Sequence, residues 1–301
     1  MFAPCGHFST MNFSGSTLCE AFASLLQLDG RHHNAIRVLL EQATRTASII
    51  DTCGLPEMER MLTICINVGG EGRTVAPLVT RLCHHGVLSD LPGVQTVMLM
   101  WCLGQLGLRS EEATASLVAR ILCPDVRHHL SATEVATVVW SVAMCGHRNP
   151  ELMNRMAERL LQIPTVPTMP SEVEPPDGMT SALSATTVLW SFVHLDVEHP
   201  ELFVTLGTQC SEACHHLGVQ DVTIIAWCLA ASRIAVPALM GAVRDRLVAG
   251  DDLVVWIDAP SDASFPPHAQ DLRPTHLVTI AWSLATLGDH AWAHADAWAH
   301  P

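Results

Sequence analysis

The same tryptophan phrase recurs along the chain, and this constrains the fold more than any other feature. Its cleanest copy is Val278-Thr279-Ile280-Ala281-Trp282-Ser283-Leu284-Ala285-Thr286-Leu287-Gly288. Earlier copies surround Trp101, Trp140, Trp190 and Trp227. Each runs through apolar residues to Trp, then a small Ser or Cys, then a break at or near Gly. A residue recurring in one local context is the signature of a repeat architecture.

Alignment on the tryptophan sets the register. Trp101 and Trp140 are 39 residues apart, and Trp190 and Trp227 are 37 apart. A step of 38 back from Trp101 reaches Thr63, in the same phrase without its Trp, and a further 40 reaches Ala23. Seven copies are thus legible. Two intervals are long, 50 residues from Trp140 to Trp190 and 55 from Trp227 to Trp282. The excess lies in residues 163–180 and 250–272, both proline-rich, which predicts loops inserted between repeats.

Each unit predicts two helices. Helix A ends on the phrase. Pro56, Pro92 and Pro274 stand near its start, and Ser131 to Glu134 fits a capping box. Gly69, Gly107, Gly146 and Gly288 fit a left-handed C-terminal cap. Helix B opens at Pro150, Pro200 and Pro237, each ten residues after its Trp. Spacings such as Leu152, Met156 and Leu160 give it one buried face. The expected fold is all-α: an α-solenoid of about seven two-helix repeats of 37–40 residues, with a right-handed superhelix by analogy. It would occupy residues 19–290. An N-terminal segment (1–18) would precede it and a low-complexity tail (291–301) would follow, whose odd composition suggests a chain cut short there.

Composition narrows the function. All 16 basic residues are arginine and the formal net charge is −14, which argues against coating nucleic acid through bulk charge. No apolar run reaches the ~18 residues of a membrane span, so no membrane partner is expected. Cys102, Cys145 and Cys228 sit inside the apolar phrases and read as reduced, buried thiols. Residues 1–18 contain no acid and no arginine but several Ser and Thr, half the signature of an organellar presequence.

The repeat length and the Trp-Ser-Leu-Ala-x-Leu-Gly wording, seen in Thr279 to Gly288, Thr137 to Gly146 and Val188 to Leu195, resemble the octotricopeptide family. They are also similar to the related heptatricopeptide and FAST-kinase-like repeats. The resemblance implies a non-catalytic, organellar RNA-binding factor, mitochondrial or plastid, acting on RNA processing, stability or translation. Its partner would be single-stranded RNA, and it would need no cofactor. Many members carry a C-terminal RAP domain, which has no counterpart here. The alternative is a protein–protein scaffold in a large organellar assembly such as a mitochondrial ribosome, consistent with the acidic charge and the absence of lysine.

Two columns of residues are candidates for RNA contact. Six places before each Trp stand Gln95, Glu134, Ser184, Asp221 and His276, polar and all different, as one base-reading residue per repeat would be. The bland reading is that they are solvated first-turn residues. Arg81, Arg120, Arg159 and Arg246 stand 18 or 19 places after Thr63 or Trp and could form a phosphate stripe. Alternatively they complement the helix dipole beside acids such as Glu158 or Asp245. Trp101, Trp140, Trp190, Trp227 and Trp282 are expected in the structural core. The Cys210, Cys214, His215, His216 and Cys83, His84, His85 groups lack a second ligand pair at regular spacing, so no metal is expected. No phosphate loop, nucleophile elbow or carboxylate dyad points to an enzyme.

Overall fold

The computed structural model describes residues 16–17, 19–21, 24, 33–46, 53–84, 91–163, 177–215, 217–248 and 274–298. Within these, the side chains of residues 35, 82, 84, 177–184, 246–248 and 289–298 are outside the description. The described residues are all-helical, without strands. The copy around Ala23 and the loop 250–272 lie outside the described residues.

The chain divides into two compact units, residues 1–126 with 144–147, and residues 127–143 with 148–301. The first holds α1 (His33–Arg45), α2 (Leu55–Asn67), α3 (Gly72–His84), α4 (Gly93–Gln105), α5 (Glu111–Leu122) and the short α6 (Pro124–Arg127). Here α2 packs on α4, while α1, α3 and α5 pack in succession. Helices of the A kind therefore contact one another, and so do helices of the B kind. Leu62, Leu78, Met100 and Leu117 are fully buried in this unit.

The second unit holds most of α7 (Ala132–Cys145), then α8 (Pro150–Gln162), α9 (Asp177–His194), α10 (Pro200–Glu212), α11 (Val219–Ala231), α12 (Pro237–Val248) and α13 (Pro274–Trp298). The same sorting recurs. The A row is α9, α11, α13 and the B row is α8, α10, α12. Phe192 and Phe203 fill the space between α9 and α10, with ring centroids 6.3 Å apart and nearly perpendicular.

Local chemistry sets the helix ends. The predicted prolines Pro150, Pro200 and Pro237 are the first residues of their helices, where a missing N–H costs nothing. Asn149 and Ser110 accept hydrogen bonds from the N–H groups of Leu152 and Ala113, satisfying amides that lack an intrahelical partner. The capping box forms: Glu134 accepts from the N–H of Ser131 at 2.8 Å, and Ser131 Oγ accepts from the N–H of Glu134 at 3.3 Å. The expected loop 163–180 is shorter than its sequence suggests, since Asp177 to Thr180 are helical. An acid in the first turn directly after Pro175-Pro176 is a sound helix start.

Helix A ends in a left-handed residue six places after the Trp position. Gly69, Gly107 and Gly146 have φ of 63°, 59° and 67°, and Asp196 and Arg233 occupy the same place with φ of 53° and 55°. The following N–H groups of Gly70, Leu108, Val197 and Ile234 reach back to the carbonyls of Cys65, Leu103, Phe192 and Leu229, the Schellman arrangement. Gly288 departs from the expectation. Its backbone is not left-handed, and α13 runs on through Ala-rich sequence to Trp298.

A side chain at a left-handed position is strained by its Cβ. Arg233→Gly should therefore raise stability by about 0.5–1 kcal/mol, and Gly107→Ala should lower it by about 1 kcal/mol. Urea titration measures both. Because no atom lies within 4 Å of a Cβ built at Gly107, its loss would be a pure backbone effect.

Candidate nucleic-acid interface

Every helix A presents the same face to solvent. With the tryptophan counted as position zero, the less buried positions are −7, −3, 0 and +4, one stripe of a 3.6-residue helix. In α4 these are Val94, Met98, Trp101 and Gln105, with Val94 72% and Met98 43% exposed. In α7 they are Thr133, Thr137, Trp140 and Met144. In α9 they include Thr187, Trp190 and His194, and in α11 they are Gln220, Ile224, Trp227 and Ala231.

This corrects the expectation for the tryptophans. None is fully buried. Trp101, Trp140, Trp190 and Trp227 are half-buried and Trp282 is 48% exposed. At Trp190 the ring of His194 stacks on the indole, centroids 4.7 Å apart and 16° from parallel. One face of that indole is therefore covered by the imidazole. The small residue after the tryptophan behaves as expected: Cys102, Ser141, Ser191, Cys228 and Ser283 are all fully buried. Each serine hydroxyl donates to the carbonyl four residues back, at 2.6 to 2.7 Å, so no polar atom is stranded. Burial pushes the Cys102 and Cys228 thiols up to about 12, which leaves them unreactive.

The column six places before the tryptophan is the third helical residue of α4, α7, α11 and α13, the position from which a side chain caps its own N-terminus, whereas Ser184 is the eighth residue of α9. Glu57, in the same place in α2, accepts from the N–H of Gly54 at 3.0 Å, as Glu134 does from Ser131. Asp221 is half-buried; burial raises its pKa, against a hydrogen bond from Thr186 that lowers it. Gln95 and His276 occupy the same place half-buried. The backbone at Ser184 is helical, but its side chain is not described. The variety of this column is what a capping position tolerates.

Two members of the arginine column are committed to the backbone. Arg120 Nε donates to the carbonyl of Leu91 at 2.7 Å, and Arg159 Nε donates to that of Leu130 at 2.9 Å, each a span of 29 residues. In both cases the end of helix B is tied to the residue before the cap of its own helix A. Arg120 also grips Asp125 through both terminal nitrogens, at 3.1 and 2.8 Å, and these bonds hold the Asp125 carboxyl below the usual carboxylate range. The expected acidic partners are taken by other arginines: Glu158 by Arg155 and Asp245 by Arg244. Arg81 is half-buried at the matching place. The Arg246 side chain is not described.

A buried carboxylate stands out in the first unit. Glu59 Oε1 is enclosed with no hydrogen-bond partner among the described residues, and burial raises the Glu59 pKa. A raised carboxyl pKa means that the ionised form opposes folding, so stability is lost as pH rises through that pKa. Glu59→Gln should stabilise the protein at pH 7 by roughly 0.5–1 kcal/mol after allowance for solvent screening. The gain should vanish below the raised pKa. Thermal melts of both proteins at pH 4 and pH 7 test this, and an equal gain at both would refute the assignment.

Among the described residues, no three His, Cys, Asp or Glu side chains converge to hold a metal ion. All ten described cysteines are free thiols. No described helix is long and apolar enough to cross a membrane. No protein-family model matches the chain, and no curated protein sequence matches it.

Proposed function

We propose that this chain is an α-solenoid of about seven two-helix repeats that binds single-stranded RNA without catalysing a reaction. Its role would be in the processing, stability or translation of organellar transcripts. The observation that carries the reading is the tryptophan on the less buried face of five A helices, half-buried at Trp101, Trp140, Trp190 and Trp227 and 48% exposed at Trp282. An indole with one open face is a stacking platform for any base, and each stack is worth ~1–3 kcal/mol. Stacking needs no cation, so it is compatible with a net charge of −14. Recognition would then rest on the Trp stripe, with Thr137, Thr187 and Thr279 beside it, rather than on the capping or arginine columns.

Fluorescence titration with a random-sequence single-stranded RNA pool tests this. Stacked bases should quench the indoles. Affinity should fall only shallowly with salt, since few phosphates are neutralised. Single Trp140→Ala and Trp227→Ala substitutions should weaken binding about 5- to 150-fold, whereas Phe at the same sites should retain most of it. RNA affinity unchanged in the alanine variants would sink the proposal. The scaffold reading is favoured by a different observation: Val94 and Met98 extend the stripe with aliphatic surface suited to a protein partner.

A further inference from the structure

The residue four places after the tryptophan differs in kind from copy to copy: Gln105, Met144, His194, Ala231 and Thr286. Gln105, His194 and Ala231 are the last residues of α4, α9 and α11. Helical side chains lean toward the N-terminus, so a residue at +4 lies over the turn that carries position zero. It is therefore well placed to cover the indole, and His194 does so. Its imidazole, on an exposed residue, lies 4.7 Å from the Trp190 ring and 16° from parallel, the arrangement a stacked base adopts on an aromatic ring. Among the described residues no other tryptophan has a ring stacked on it. Ala231 ends at its Cβ and cannot reach across Trp227. Thr286 turns its hydroxyl to the Trp282 carbonyl at 2.8 Å. Gln105 and Met144 are flexible chains exposed to solvent, able to swing aside.

We infer that position +4 gates the tryptophan platform, shut at Trp190 by His194 and open at Trp227 beside Ala231. The inference rests on the reading that single-stranded RNA stacks on these indoles, and it assigns which of them take a base. A base arriving at Trp190 must first displace the imidazole, so this repeat is passed over while Trp227 is filled. The gate matters because no charge on this face substitutes for stacking. None of the residues at −7, −3, 0 and +4 of α4, α7, α11 and α13 is charged, which leaves no cation among them to hold a phosphate. Closing helix A does not call for the imidazole either, since α4 and α11 end in the same place with Gln105 and Ala231.

Exchanging the two residues tests the inference, read out by equilibrium binding of a labelled single-stranded RNA pool of random sequence to the full chain. His194→Ala should tighten binding about 3- to 10-fold, and Ala231→His should weaken it by a similar factor, since one stacked base is gained or lost against a competing ring. Trp190→Leu should change affinity by less than about twofold on its own, yet cancel the gain when combined with His194→Ala. Both exchanged residues are exposed, so helicity should be unchanged in either variant. RNA binding that depends on Trp140 and Trp227 but ignores both exchanges overturns the gate and leaves the RNA reading standing. A chain that binds no RNA in any of these forms overturns that reading and the gate with it. A lower melting temperature for His194→Ala at unchanged affinity would make the stack a helix-stabilising pair only, and would overturn the gate as well.

Discussion

Phe192→Ala should cost about 3–5 kcal/mol of unfolding free energy. The side chain is fully buried, and its ring meets Phe203 edge-on at 6.3 Å and His199 at 6.4 Å. It stands two places after Trp190, where four other copies carry Cys65, Leu103, Val142 and Leu229, all buried. Its ring joins α9 to α10 across their turn. Truncation would remove both the transfer free energy and the edge-to-face contact, and it would leave a cavity that two rigid helices close poorly. Urea unfolding followed by far-ultraviolet circular dichroism measures the loss. Phe192→Leu should lose much less, because it refills most of the volume. A loss under 1 kcal/mol for the alanine variant would mean that this joint is not tightly packed.

Arg159→Ala should cost about 1.5–3 kcal/mol, the worth of a charge-assisted bond to a carbonyl that water does not replace. Leu130, whose carbonyl it holds, is 2% exposed. Lysine should not rescue, since the bond is made by the guanidinium Nε and an ammonium lies farther out on its stem. Arg155→Ala, one turn earlier on α8 in an exposed pair with Glu158, should leave the unfolding midpoint in place. If both alanine variants behave alike, the tie to Leu130 is worth nothing. Arg120→Ala should shift stability in the same direction as Arg159→Ala.

The sequence foretold the helical class, the starts of helix B at Pro150, Pro200 and Pro237, the Ser131–Glu134 box and the turns at Gly69, Gly107 and Gly146. All of these are local: a proline, a capping pair or a glycine acts within a few residues of itself. The exposure of the tryptophans was hidden because helix A is apolar almost all round, and such a stretch does not mark where its buried side ends. Trp140 sits among Val138, Val139 and Val142, so nothing in the letters separates the ring at the edge from the valines beneath. The arginine ties were equally hidden. Their acceptor is a main-chain carbonyl, which has no letter of its own. One trace was visible: leucine stands 29 places before Arg120, Arg159 and Arg246, at Leu91, Leu130 and Leu217.

That spacing bears on how the protein comes to be folded. A latch closed within 29 residues needs nothing from distant parts of the chain, so its loop-closure entropy is small. A helix pair and its latch can form as soon as that stretch of chain exists, without waiting for a partner hundreds of residues away. Contacts of such short range favour rapid folding, and structure can start at any pair and spread to its neighbours. On this view the arginine is a kinetic device as much as a stabilising one. It seals the pairs of Arg120 and Arg159 early and hands the next an ordered surface on which to grow.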